Sequence, residues 1–594
     1  RLENKVISIL NKGERAFGFD EFIKVHINQF YGIEINDFAV TVAKTALWIA
    51  ESQMVAETEA IISQTIDFLP LTDHANIVEG NALRLDWATL SKFEDRGLLF
   101  TEKLNIFEKA PFNKSLEVHA PTFEETANRG RYFKELNVVA KEVEYKKSGK
   151  QEQPEPMVYD YIMGNPPFVG YSLQSNQQKK DTLQNFADEN GKPYKAVGKI
   201  DYVTNWYFKA AKLIQNSKTR CAFVSTNSVT QGEQVAAVWK PIFERFKIHI
   251  DFAYQTFKWE NETSDKKNMA AVHCVIIGFS NAENEKPRII FGSDSQPVVA
   301  KNINAYLIDG ADVFVESRPV PLCDVPQMSS GGKPVEGGHL IFTEDEKSDF
   351  LKKEPKAEKY FRPFMGSDDF INGHTRWCLW LLGAAPNELR AMPNVMKRIE
   401  EVRKFRLASV KAATREYANY PAQFMEIKQP DSDYLIIPAT SGESRKYIPI
   451  GYVNKNVVAS NAASFVPNAT PYHFGVLTSL AHMAWMRIVC GRLGTSYRYS
   501  VNIVYNNFPW CNPTVEQKAK IEQTAQAILD ARSHFPDASL ADLYDENVMP
   551  PELRKAHREN DAAVMSAYGF KPGMEESEIV AELFKLYEKL TQKA

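Results

Sequence analysis

The chain has 594 residues, 44% of them hydrophobic and 25% charged, and a net charge of −4; this is an ordinary globular composition, long enough for about three or four domains, with no overall charge that would mark a polyanion partner. No uninterrupted apolar run approaches the roughly 18 residues a bilayer span requires, so no membrane segment is predicted. The six cysteines (Cys221, Cys274, Cys323, Cys378, Cys490 and Cys511) are scattered and form no CxxC pair, which argues against a zinc ribbon or a disulfide framework and fits a reducing cytoplasm.

Arg1 opens a helical pattern without a Met, so the chain is expected to be a piece of a longer protein. "FYGIEI" (30–35) is a short apolar strand, and "DFAVTVAKTALWIAESQM" (37–54) follows it with apolar residues at helical spacing. "ANIVEGNAL" (75–83) reads as a second strand ending in a loop. After an irregular stretch rich in Lys, Glu and Pro (141–156), "MVYDYIMG" (157–164) is a third, buried strand. A helix "DYVTNWYFKAAKLIQ" (201–215), a strand "RCAFVST" (220–226), a helix at 232–245, a strand near 248–254 and a strand "AVHCVIIGF" (271–279) complete the run. Such alternation predicts a mostly parallel, doubly wound sheet, which binds ligands at the carboxyl ends of its strands.

"QMSSGGKPVEGG" (327–338) reads as a linker. Beyond it come short aromatic-rich strands and one long basic helix, "NVMKRIEEVRKFRLASVKAATREYAN" (394–419). Residues 389–512 carry 15 Lys or Arg against 7 Asp or Glu, a local +8. A protein that grips phosphate with one face would show this, and so would a solvated basic surface with no ligand. From about Thr514 the chain is helical and polar. There is no internal repeat and no coiled-coil seam of useful length.

"DYIMGNPPFVG" (160–170) ends its strand with an amide, a rigid turn and an aromatic ring. A proline pair alone carries little, since about 5% Pro usage gives one or two by chance, and Pro550–Pro551 fits that description. The information lies in Asn165 before the pair and Phe168 after it. Asn165 can accept a hydrogen bond through its side-chain oxygen. Pro166 and Pro167 fix φ and lack N–H groups, so the Pro166 carbonyl can point at a ligand. Two acceptors on one exocyclic NH₂ would turn its lone pair towards an electrophile, and Phe168 offers a face for an extruded base. No metal and no covalent intermediate is needed; positioning and electrostatics would drive a direct displacement. The plainer alternative is a strand-terminating turn with an Asn cap and a packed Phe.

Glu34, at the carboxyl end of a strand and just before a helix, stands where dinucleotide folds bind ribose hydroxyls. Asn81 ends the next strand, where a polar side chain could meet an adenine edge. Either alone also reads as a cap or loop residue. Together with Asn165 they outline a nucleoside-like cofactor beside an amino-group acceptor.

"NPPF" after a hydrophobic strand resembles motif IV of the amino-group DNA methyltransferases, which use S-adenosylmethionine. Asn in first place looks like the adenine-N6 branch, and the order of cofactor half, catalytic loop and recognition region is similar to the gamma class. "YGIEINDFAVTVAKTALW", "DYVTNWYFKAA", "FVSTNSVTQGEQV", "YFRPFMGSDDFINGHTRWCLWL", "SGESRKYIPIGYV" and "GRLGTSYRYSVNIVYNNFPW" resemble the MmeI-like, type IIL restriction–modification enzymes, over nearly all of residues 1–594. Those are single chains with nuclease, methyltransferase, target recognition domain and helical tail.

The resemblance implies a Rossmann-like class I methyltransferase sheet over 1–290, lacking its first strand. A connector (291–338), a mixed α/β target recognition domain (339–512) and a helical C-terminal segment (513–594) would follow. It implies Asn165, Pro166, Pro167 and Phe168 as the catalytic loop. Glu34, with Ile35 beside it, would hold the ribose of S-adenosylmethionine, and Asn81 with Ala82 would sit near its adenine, although the family often has Asp at that position. The implied activity is sequence-specific methylation of adenine N6 in double-stranded DNA, with the base flipped out of the stack. Arg403, Lys404, Arg406, Lys411 and Arg415 would contact phosphate. Base reading would fall to Ser441, Arg445 and Lys446 on one loop and to Arg492, Ser496, Arg498 and Asn502 on another; any single Arg among them also reads as a plain surface charge.

Two features depart from the family. Its Gly-rich cofactor loop is absent and would lie before Arg1, and so is the amino-terminal nuclease; "EIK" at 426–428 is a chance-level match to a nuclease motif. Some 84 positions separate Asn81 from Asn165, which suggests a surface insertion. Two other functions stay open on the residues alone. One is an amino-group methyltransferase acting on RNA or a protein glutamine, against which over 250 residues beyond the last strand of the sheet count. The other is a DNA-binding specificity subunit whose catalysis has decayed.

Overall fold

In a computed structural model, residues 2–10, 25–62, 76–90, 159–259, 272–281, 286–292 and 296–592 are described. The irregular stretch 141–156 and nearly all of the segment between Asn81 and Asn165 fall outside them. Contacts divide the chain into two units, Arg1–Tyr159 and Asp160–Ala594.

In the first unit, strand β1 (Tyr31–Glu34) runs parallel to β2 (Asn76–Glu79) with Glu34 opposite Glu79. Helix α1 (Leu2–Leu10) packs on helix α2 (Asp37–Ile62). Asn4 joins them, donating to the Met54 carbonyl at 3.2 Å and accepting from the Thr58 hydroxyl at 2.9 Å. Helix α2 starts where the sequence places it, because Asn36 Oδ1 accepts from the Phe38 and Ala39 amides at 2.9 and 3.3 Å. It runs eight residues past the expected end at 54.

In the second unit, a sheet of order β3-β4-β6-β5-β7-β8 is built from Tyr161–Gly164, Arg220–Thr226, Val272–Ser280, His249–Trp259, Arg288–Phe291 and Pro297–Ala300 respectively. The α/β class holds, but the pairing is more mixed than the alternation predicts. β3/β4 and β5/β7 are parallel, whereas β4/β6, β5/β6 and β7/β8 are antiparallel. β5 and β6 follow one another in sequence and pair antiparallel, so β6 does not enter the sheet by a parallel crossover from β5. β3 is also less buried than expected. It is the edge strand of this sheet, and Tyr161 and Met163 are exposed.

Helices α3 (Asn176–Asn185), α4 (Thr204–Leu213) and α5 (Glu233–Phe246) accompany the sheet. Tyr207 of α4 anchors the packing: its ring lies 5.2 Å from Phe223, 5.2 Å from Trp239 and 5.7 Å from Phe279. Its hydroxyl meets Ser225 Oγ at 2.9 Å. Three buried aromatics thus meet at Tyr207 and fix α4 and α5 to β4 and β6, and so fix the loops leaving the end of β4.

The expected linker at 327–338 is not a free tether. Ser329–Ser330 forms β9, paired with β17 (Ala463–Pro467). The Gly331 amide donates to the Ala463 carbonyl at 2.9 Å, and the Gly332 amide to the Ala459 carbonyl at 2.9 Å. A Cβ on Gly331 would lie 2.2 Å from the Ser460 carbonyl oxygen, so glycine is there for close backbone approach rather than for flexibility. The long basic helix is broken too. It forms α6 (Pro393–Leu407) and a short helix α7 (Ala412–Glu416), separated by residues 408–411.

Three small sheets make up the region beyond. One has the order β10-β12-β11-β16, from Ile341–Thr343, Arg376–Leu379, Phe361–Met365 and Val458–Ala459. In the second, β15 (Gly451–Val453), β13 (Tyr434–Pro438), β17 and β9 are neighbours in that order. In the third, β14 (Thr440–Ser441), β19 (Ser496–Arg498) and β18 (Gly491–Leu493) lie side by side.

Helices then dominate. Val515–Ser533 packs on Pro551–Tyr568, and Glu576–Thr591 packs on Leu480–Val489 through Trp485 and Phe584, 5.6 Å apart. No helix among the described residues is long and apolar enough to cross a membrane.

Candidate active site

Glu34 and Asn81 leave the carboxyl ends of two neighbouring parallel strands, with the Gly80 amide bonded to the Glu34 carbonyl at 2.8 Å. Glu34 also stands just before α2, whose first N–H groups favour negative charge. One of its carboxylate oxygens accepts from the Ile35 amide at 2.9 Å. The other has no hydrogen bond among the described residues, leaving an acceptor for a hydroxyl pair. Ile35 beside it is 70% exposed, an apolar surface next to that acceptor.

Asn81 Oδ1 accepts from the Leu83 amide at 2.9 Å. That bond fixes which way the amide faces and leaves its NH₂ as a donor towards a ring nitrogen. The following turn is held by the Trp87 indole N–H, which donates to the Ala82 carbonyl at 2.8 Å. Tyr159 closes this unit with its hydroxyl on the Trp87 carbonyl, and burial, together with Tyr31 and Asp86, pushes its pKa up to about 12. An open carboxylate oxygen, an apolar face and an oriented amide donor fit the ribose and adenine of a nucleoside cofactor.

In the second unit, β3 delivers Asn165, and pairing of Gly164 with Phe223 of β4 fixes the start of the loop. A Cβ at 164 would lie 3.3 Å from the Phe223 ring, tight enough to explain a glycine there. Asn165 is exposed, and its side chain has no hydrogen bond among the described residues. Pro166 is buried, Pro167 exposed and Phe168 half-buried.

The far end of the loop is held by a segment that the sequence predicts as the start of a helix. The Tyr202 amide donates to the Val169 carbonyl at 2.9 Å, and the Tyr171 amide donates to Asp201 Oδ1 at 3.0 Å. Asp201 Oδ2 accepts from the Ser228 hydroxyl at 2.5 Å. Helix α4 begins only at Thr204, so Asp201 lies outside it. The sequence signal available was an Asp before an amphipathic helix, which reads as a cap. Nothing local shows that its carboxylate faces a loop 30 residues upstream.

The expected DNA-contacting residues divide into groups. Thr440–Ser441 pairs with Tyr497–Arg498, and Arg492 lies opposite Tyr497. The loop around 445 and the hairpin at 491–498 thus form one surface. On it Arg492 bonds Glu443 at 2.8 Å and lies 4.4 Å from the centre of the Tyr497 ring. Lys446, Arg498 and Asn502 are exposed, and Arg445 and Ser496 are half-buried.

On α6, Arg403 and Lys404 are exposed, with carboxylates of Glu400 at 3.9 Å and Glu401 at 2.8 Å. Lys411 and Arg415 are exposed, Arg415 donating to the Ser409 carbonyl at 2.8 Å.

Two residues leave the set. Arg406 is fully buried, and its guanidinium donates to the carbonyls of Pro334, Val335, Tyr417, Tyr420 and Gln423 at 2.7–3.2 Å. All its donor capacity is spent on backbone, so it holds structure and cannot reach phosphate. Ser441 is 3% exposed, which puts its hydroxyl out of reach of a base edge.

These features define a mixed α/β chain in which a nucleotide-type strand pair and an Asn-Pro-Pro-Phe loop precede an extended region of small sheets and helices. Residues 1–292 match the family profile described as MmeI, DNA-methyltransferase domain. Residues 309–512 match MmeI, target recognition domain, and residues 514–594 match MmeI, C-terminal domain. A solved structure of the type IIL restriction–modification enzyme MmeI in complex with DNA is 41% identical, with a TM-score of 0.79, covering 100% of this chain and 70% of that one. DNA methyltransferase A of Bacillus subtilis (strain 168) is 34% identical over 595 residues, and the chain spans 59% of its length. The chain belongs to the MmeI family.

Proposed function

We propose that this chain carries the modification and recognition functions of a type IIL restriction–modification protein, methylating adenine N6 in a specific double-stranded DNA site with S-adenosylmethionine as methyl donor. The observation that carries the reading is Asn165: a carboxamide with no hydrogen bond among the described residues, held between the end of β3 and a buried proline. The exposed basic side chains at 403–415 and around the 491–498 hairpin support DNA as the partner.

When bound, S-adenosylmethionine supplies a methyl group on a positively charged sulfur. Glu34 would accept from the ribose hydroxyls, and Asn81 would donate to the adenine ring. A target base stacked in duplex cannot reach the loop, so it must be extruded. Phe168 would then stack on the flipped base. Asn165 Oδ1 and the Pro166 carbonyl would each accept one N–H of its amino group, freeing the nitrogen lone pair for in-line attack. The prolines keep both acceptors in place without a competing backbone donor.

The test uses full-length protein, methyl-labelled S-adenosylmethionine and unmethylated bacterial DNA. Asn165→Ala is expected to lower the transfer rate by about 10²–10³-fold, as removal of a preorganised polar group does, while DNA and cofactor affinities stay within about twofold. Transfer at the wild-type rate in the variant would contradict the assignment.

A further inference from the structure

The braced far end of the loop carries an inference of its own. We infer that Asp201 is a positioning residue for methyl transfer: its carboxylate, oriented by Ser228, latches the exit of the Asn165–Phe168 loop and sets where Asn165 and Phe168 stand. The inference rests on the reading of that loop as the catalytic one.

Four observations converge on Asp201. It is 8% exposed, and both carboxylate oxygens are engaged, Oδ1 by the Tyr171 amide at 3.0 Å and Oδ2 by the Ser228 hydroxyl at 2.5 Å. Its own amide donates to Gln234 Oε1 at 2.9 Å, and its carbonyl accepts from the Thr204 amide at 3.1 Å and hydroxyl at 2.7 Å. The residue is thus tied to both α4 and α5. Its neighbour Tyr202 holds the Val169 carbonyl at 2.9 Å. Residues 169 and 171, directly after Phe168, are therefore clamped to one rigid segment.

Ser228 is rigid in turn. Its hydroxyl meets Thr226 Oγ1 at 2.9 Å at the end of β4, and the turn it belongs to is pinned by the Trp239 indole N–H on the Val229 carbonyl at 2.8 Å. The loop thus has one end fixed by the β3/β4 ladder and the other by a side-chain latch to the turn leaving the same β4. Between them the prolines restrict the backbone. A loop fixed at only one end would let Asn165 wander, and a misplacement of about 1 Å can cost roughly 10²-fold in rate. Burial keeps water from substituting freely for the carboxylate.

This geometry separates variants. In Asp201→Ala the Tyr171 amide and the Ser228 hydroxyl lose their common acceptor. In Asp201→Asn the side-chain oxygen can still accept from Tyr171, while the new NH₂ donates to Ser228 Oγ and Ser228 donates on to Thr226. In Ser228→Ala the carboxylate keeps Tyr171 and loses its orienting bond.

The experiment measures kcat and KM for S-adenosylmethionine and for unmethylated bacterial DNA with full-length wild type and these three variants, alongside thermal unfolding. Asp201→Ala is expected to lower kcat by about 10- to 100-fold with both KM values within about twofold. Asp201→Asn should recover most of the rate, and Ser228→Ala should fall between them. Asp201→Ala at the wild-type kcat would overturn the inference, as would Asp201→Asn as slow as Asp201→Ala in a protein of unchanged melting temperature. If Asp201→Ala does not fold, Ser228→Ala decides: a wild-type kcat there removes the latch. A wild-type protein that transfers no methyl group would instead defeat the reading of the loop itself.

Discussion

At the scale of single residues, the difference between Asn165 and Arg406 is the difference between a polar group left free and one fully consumed. Asn165 has a carboxamide at a strand end that bonds to nothing among the described residues, whereas Arg406 spends its guanidinium on five backbone carbonyls. Glu34 is intermediate, with one oxygen on the Ile35 amide and one open. Glu34→Gln keeps the first bond but removes the charge that strengthens the second. Calorimetric titration with S-adenosylmethionine is expected to show affinity falling by about 10- to 100-fold, the range a charged hydrogen bond of roughly 1.5–3 kcal/mol implies. Affinity for DNA should not change, and an unaltered cofactor affinity would contradict the ribose role.

The sequence singles out Asn165 and Glu34 as candidates because the pattern that marks them lies in neighbours along the chain: a strand before, a proline pair or a helix after. Arg406 and Asp201 were illegible for the opposite reason. Their partners lie up to 72 and 33 residues away, and a local pattern reads only a basic helix face and a helix start.

At the scale of elements, the strand at Arg220–Thr226 was legible residue for residue and the one at Tyr31–Glu34 to within a residue, whereas β3 starts at Tyr161 instead of 157 and β5 runs to Trp259 instead of 254. The segments that misled were those whose composition serves tertiary contacts. Glycines at 331–332 suggested a tether, yet they admit the backbones of Ala459, Ser460 and Glu426. The basic run at 394–419 suggested one helix, yet Arg406 turns inward near the end of α6 and ties it to 334–335 and to 417–423.

Burial draws the Arg406 pKa down, but five acceptors compensate, so the cage works as a structural joint. Arg406→Met leaves those carbonyls unsatisfied and is expected to cost on the order of 3 kcal/mol, read as a lowered midpoint in urea unfolding. The salt dependence of DNA binding by the folded variant should match wild type, because no phosphate contact is removed. A weaker salt dependence with unchanged stability would restore the DNA role.

At the scale of the whole molecule, the second unit buries several imidazoles. Burial lowers the pKa of His482 to about 3 and, with Lys518 nearby, that of His473 to about 4; His557 is pushed well below its ordinary value. Unfolded histidines titrate near 6.5, so below that pH the unfolded chain gains protons that the folded chain refuses. Stability is therefore full above about pH 6.5 and is lost as pH falls towards 4, by about 1.4 kcal/mol per pH unit for each such histidine. Asp561 and Asp312, whose carboxyls are raised by burial, act in the opposite sense. His482→Gln should flatten the curve by about one histidine's share between pH 6 and 4; an unchanged slope would mean that His482 is charged in the folded state.

An α/β region followed by a basic, less regular one was legible from strand–helix alternation and charge, since both depend on composition over long windows. The central claim is the chemistry of the Asn165 loop, and one measurement reaches it directly. Full-length protein is incubated with methyl-labelled S-adenosylmethionine and unmethylated bacterial DNA, the DNA is digested to nucleosides, and the labelled nucleoside is identified. Label in N6-methyladenine, absent with Asn165→Ala, is the expected result; label in N4-methylcytosine, or in RNA or protein rather than DNA, would contradict it.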